Sequence, residues 1–158
     1  MKEREEFLIE VKKKFDNAKK EVEFNVSFEE LDKIFHLSDS ILNMDFIAED
    51  FSRQIRRIIF DYLNSGQEYL LGLIFPNPNS IISQSESKIF SSEKDKKLIW
   101  NLIKSSMNFI SINSLANLKN DKSLEKKFID ESYLFCKNVF IPELTRIIEK
   151  VSFNWAKD

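Results

Sequence analysis

Turn-forming residues are nearly absent from this chain: its 158 residues include two glycines, Gly66 and Gly72, and three prolines, Pro76, Pro78 and Pro142. A many-stranded sheet with tight hairpins calls for glycine at positive φ in turn after turn. Without that supply the chain is expected to be all-α, a bundle of five or six helices joined by polar connections. A chain of this length buries enough surface to hold one real core, so residues 1–158 read as a single helical domain.

The bundle is expected to be organised around a central helix near residues 43–64. There Met44, Ile47, Phe51, Ile55, Ile58, Ile59 and Tyr62 recur at the steps of three and four that line one helical face. Phe46, Arg53 and Phe60 stand seven residues apart, almost in line on the other side. That second stripe is covered either by another helix or by a partner molecule. Gly66, after Asn64 and Ser65, is positioned to close the helix in the left-handed conformation.

The flanking segments follow the same logic. Residues 1–24 form an amphipathic N-terminal helix in which Leu8, Val11, Phe15, Ala18 and Val22 make a seam of about two heptads. It suits packing within the chain, with a homodimer through residues 8–22 as the other use. Ser27 and Glu30 have the capping-box spacing that starts a helix at Phe28, and the apolar stripe changes phase near Ser38-Asp39-Ser40, where a break is expected. Residues 67–75 read as a short buried helix, and 76–92, rich in serine and asparagine, as a long polar loop. Ser92 caps the next helix, whose buried face would comprise Leu98, Ile99, Leu102, Ile103, Met107 and Ile110. After Asn120-Asp121 comes a helix through Leu124, Phe128, Phe135 and Val139, interrupted at Pro142 and followed by a last helix through Leu144, Ile147, Ile148, Val151 and Trp155.

Several chemistries are excluded by what is missing. His36 is the only histidine, so paired-histidine metal motifs cannot form; beside Phe35 and Leu37 it reads as a helix-end packing residue. The two glycines make no phosphate-binding loop. Cys136 is alone and reads as a buried thiol, consistent with a reducing compartment. The charged first residues lack the apolar core of a signal peptide, and no stretch is apolar enough to span a bilayer, so a cytoplasmic location without membrane contact is expected. No cofactor is expected.

Charge placement carries the functional expectation. The chain is acidic, with a net charge of −2, and between Glu29 and Asp50 seven acidic residues face Lys33 alone. We expect a non-enzymatic protein-binding module, in the manner of an immunity or antitoxin-like inhibitor, that occludes a basic protein partner. The residues expected to carry it are Glu29, Glu30, Asp32, Asp45, Phe46, Glu49, Asp50, Arg53 and Phe60, which would steer a cationic surface in and bury an aromatic anchor. Two alternatives come from other classes. A nucleic-acid-binding accessory subunit would use Arg53, Arg56, Arg57 and the lysines near 94–97 and 119–122. A Mg²⁺-dependent enzyme would gather Asp45 and Glu49 with Glu29 and Glu30 between two helices.

Overall fold

The computed structural model describes residues 2–157. It is all-helical, with α1 (Lys2–Val22), α2 (Phe28–Phe35), α3 (Leu37–Met44), α4 (Phe51–Ile74), α5 (Ile81–Ile89), α6 (Glu93–Lys119), α7 (Lys122–Phe135) and α8 (Ile141–Trp155). A π turn, Cys136–Phe140, joins the last two without a break. The described residues thus form seven separate helices, the last a rod running through Pro142, rather than five or six. Proline in a helix interior collides with the carbonyl four residues back. Widening the helix just before it, with the Ile141 N–H donating to the carbonyl of Cys136, relieves the collision.

The central helix is real, but it is α4, which starts at Phe51 and runs past Gly66 to Ile74. It packs against α1, α2, α3, α5, α6 and α7. Phe51, Ile55, Ile58, Ile59, Leu63, Leu70 and Leu73 are all buried on it. Its solvent strip is narrow: Arg53, Arg57, Asp61, Ser65 and Glu68, at steps of three and four. Gly66 does not end the helix because it serves a crossing. The fully buried ring of Phe140 lies against it, and a methyl group there would come 2.6 Å from Cζ of that ring.

Ahead of α4 the chain breaks three times, each at a left-handed residue, the first at Glu23 (φ 64°) after α1. His36 (φ 53°) separates α2 from α3, two residues before the expected break, and Asp45 (φ 49°) closes α3. Asp32 holds the α2–α3 corner by accepting from the Ser38 N–H at 2.7 Å. The capping box at Ser27 is present in full. In α1, Val11, Phe15, Ala18 and Val22 are buried in this chain's own core; Phe15 meets Phe24 and Phe28 edge-on at 5.4 and 5.3 Å. The seam proposed for a homodimer is therefore spent within the protomer.

The expected 76–92 loop contains α5. Ser80 caps it by accepting from the Ser83 N–H at 3.2 Å, the Ser87 hydroxyl donates to the Leu73 carbonyl at 2.7 Å, and the buried Phe90 anchors its end. Docking on α4 supplies what the serine-rich sequence lacks in helix propensity. On α6 the buried side is Ile99, Leu102, Ile103, Ser106, Ile112, Asn113 and Ala116; Leu98 and Met107, expected inside, are exposed. Among the described residues no helix is long and apolar enough to cross a membrane.

The two glycines of α4 should respond oppositely to alanine. Gly66→Ala is expected to destabilise by about 1–3 kcal/mol through overpacking against Phe140. Gly72→Ala, whose added carbon meets nothing within 4 Å, should stabilise by about 1 kcal/mol through helix propensity. Urea unfolding midpoints measure both, and shifts of the same sign would contradict the close crossing at Gly66.

Candidate protein-binding site

The chain between α3 and α4, Asp45 to Asp50, is the part of the acidic region that the fold shapes into a surface feature. The side chain of Gln54, one turn into α4 and buried, reaches back to it. Its Oε1 accepts from the Ala48 N–H at 2.9 Å, and its Nε2 donates to the Phe46 carbonyl at 2.9 Å. Ile47 turns inward against the core, and Phe46 turns outward with 59% of its surface exposed. Asp50 caps α4 by accepting from the Arg53 N–H at 2.9 Å. Asp45, Glu49 and Asp50 are exposed, and among the described residues none has a cationic group within 4.0 Å. The result is a loop that presents an exposed aromatic ring, with exposed carboxylates before it in the chain at Asp45 and after it at Glu49 and Asp50.

The expected stripe of Phe46, Arg53 and Phe60 does not exist as a line on one helix. Phe46 precedes α4; Arg53 lies on the solvent strip; Phe60 is half-buried and packs against the core. The carboxylates are also divided. Glu29 pairs with Lys12 at 3.0 Å, which with backbone hydrogen bonding holds its carboxyl below the usual range. Glu30 is held low by the Ser27 backbone and hydroxyl that it caps, and Asp32 is used at the α2–α3 corner. Glu29 and Glu30 border a groove between α2 and the final rod, whereas Glu49 and Asp50 border a different, polar cleft of about 500 Å³ with Glu21, Lys122 and Glu125. Asp45 and Glu49 do not share a helix turn. Among the described residues no three His, Cys, Asp or Glu side chains gather so as to hold a metal ion, so the inter-helix carboxylate arrangement is not formed.

Beneath the loop lies a group that the sequence reading placed on the surface. Arg56 is buried, 3% exposed, where α4 meets α6 and α7. Its Nη1 donates to Asn113 Oδ1 at 2.9 Å and Asn117 Oδ1 at 2.7 Å, and its Nη2 lies 3.5 Å from Glu125 Oε1. The other oxygen of Glu125 accepts from the Ser52 hydroxyl at 2.7 Å. Burial draws the guanidinium below its ordinary value, opposed by Glu125 and Asp50. With Arg56 spent in the core, the arginine cluster invoked for nucleic acid reduces to Arg53 and Arg57, the latter 4.0 Å from Asp61. One signal for this was in the sequence: Arg56 sits between Ile55 and Ile59 on the buried arc of α4.

Comparison with family models, curated proteins and solved structures gives no match to this chain.

Two outcomes follow from these buried groups. Glu125→Leu strands the guanidinium and should cost about 3–5 kcal/mol, while Arg56→Leu with Glu125→Leu together should cost much less than the two singles combined; a double-mutant cycle by urea unfolding checks this, and additive losses would contradict it. Burial pushes the Cys136 thiol up to about 12, from an ordinary value of 9.0. The folded thiol then keeps a proton that the unfolded one releases, so this contribution to stability is intact below about pH 9 and declines above it. At pH 8 the native protein should resist a thiol-specific disulfide reagent and react once unfolded; rapid labelling of the native state would overturn that assignment.

Proposed function

We propose that this chain is a non-enzymatic protein-binding module, an immunity or antitoxin-like inhibitor that covers a basic surface of another protein through the loop between α3 and α4. The observation that carries this reading is the exposed Phe46, whose backbone is clamped by the buried amide of Gln54 in a loop that also carries the exposed Asp45, Glu49 and Asp50. Large exposed aromatics flanked by charge suit the anchor-and-rim pattern of protein interfaces. The carboxylates would draw in a cationic surface and raise the encounter rate. Phe46 then leaves water against the partner, a transfer that supplies about 1.5–3 kcal/mol for a fully buried ring. Arg53, one turn away and exposed, is placed to bond a carboxylate or carbonyl at the edge of the contact. Because the loop is already fixed, association loses less chain entropy than it would with a mobile segment.

The test is kinetic, on the protein captured by this chain from its host. Asp45→Lys with Glu49→Lys should slow association at least tenfold at low salt and flatten its dependence on ionic strength. Phe46→Ala should leave association nearly unchanged and speed dissociation about tenfold or more. Gln54→Ala, which alters no group offered to the partner, should weaken binding by releasing the loop. Rates unmoved by all three sets would place the interface elsewhere.

A further inference from the structure

A second surface combines apolar walls with charges of both signs. Between α2 and the rod of α7, π turn and α8 runs a groove of about 640 Å³, within the volume range of small-molecule sites. Ile34, Tyr62, Tyr133 and Ile141 supply its apolar lining, and Lys33 and Lys137 stand at its edge. Both carboxylates that border it are already engaged: Glu29 accepts from Lys12 Nζ at 3.0 Å. Glu30 accepts from the Ser27 N–H and hydroxyl through one oxygen and from the Tyr133 hydroxyl at 3.3 Å through the other. The lysines are not engaged in this way; among the described residues neither Lys33 nor Lys137 has a carboxylate oxygen within 4.0 Å.

Lys137 is held in place by other means. Its ammonium group lies 5.4 Å from the centre of the Tyr133 ring, a cation–π arrangement, and it belongs to the π turn Cys136–Phe140. Such turns insert one residue into a helix and re-aim the side chains around it, which is why they recur at binding sites. The groove therefore combines aromatic walls with two cations that have hydrogen-bonding capacity to spare.

We infer that this groove binds a small organic anion with a flat apolar body, its carboxylate or sulfonate held by Lys33 and Lys137 and its body against Ile34, Tyr62 and Ile141. The site is independent of the partner-binding loop: it shares no lining residue with the cleft beside that loop.

The probe is 1-anilinonaphthalene-8-sulfonate, an aromatic body carrying one sulfonate, titrated into the full chain with fluorescence and amide chemical-shift readouts. One saturable site is expected, with shifts concentrated at 33–36 and 133–141. Affinity should fall about tenfold or more in Lys33→Gln/Lys137→Gln, since each charge-assisted bond is worth at least that factor. Both positions are exposed, so an unchanged thermal melt will show that the variant stays folded. The uncharged counterpart, N-phenyl-1-naphthylamine, should bind at least tenfold more weakly than the sulfonate. No saturable binding, shifts centred elsewhere, equal binding of the uncharged compound or an affinity indifferent to the two lysines would each overturn the assignment.

Discussion

A buried guanidinium at the junction of three helices sets the terms for what is packed around it. Arg56 has left water, and desolvating such an ion is repaid only by acceptors in the right places. Those acceptors come from two other helices, Asn113 and Asn117 on α6 and Glu125 on α7. Apolar contacts alone tolerate small rotations of one helix on another; two amide oxygens hydrogen-bonded to Nη1 and a carboxylate 3.5 Å from Nη2 tolerate less. The network thus fixes the rotation of α4 about its own axis. Through the bond from Ser52 to Glu125 it also fixes the first turn of α4, the turn from which Asp50 and Gln54 organise the loop that carries Phe46.

Local signals in the sequence were reliable where one local solution existed. The Ser27–Glu30 capping box, the Ser92 cap and the seam of α1 are all where spacing and residue type place them. They failed where two local solutions were available and a distant residue chose. Gly66 after Asn64-Ser65 fits a helix end as well as a helix interior, and the choice is made by the ring of Phe140, far along the chain. Likewise Ile81–Ile89 is helical because it docks on α4, and the chain passes Pro142 because a π turn precedes it. Neither compensation is visible in a window of a few residues.

The candidate site was half legible for a related reason. Counting charges from Glu29 to Asp50 treats every carboxylate as free, but folding spends several of them. Glu30 and Asp32 accept from backbone N–H groups at helix corners and Glu29 is paired with Lys12. Asp45 and Glu49, on either side of Phe46 in the chain, remain exposed without such a partner, and Asp50, though it caps α4, is exposed and has no cation beside it among the described residues. Arg56 is the converse: an arginine counted as surface charge that the periodicity of α4 places inside.

Exposure of Phe46 is itself a consequence of this spending. A mobile loop would let so large an apolar ring fold back onto nearby core residues, where the hydrophobic effect favours it. The clamp works against that collapse, because Gln54 is buried and its bonds to the Phe46 carbonyl and the Ala48 N–H hold only while those groups stay in place. Moving the loop would leave buried polar atoms without partners, at about 1–3 kcal/mol each. That is comparable to the gain from burying the ring. The loop is therefore held with its aromatic side chain in water by polar groups that lie beneath it, and the network around Arg56 that orients α4 keeps those groups aimed.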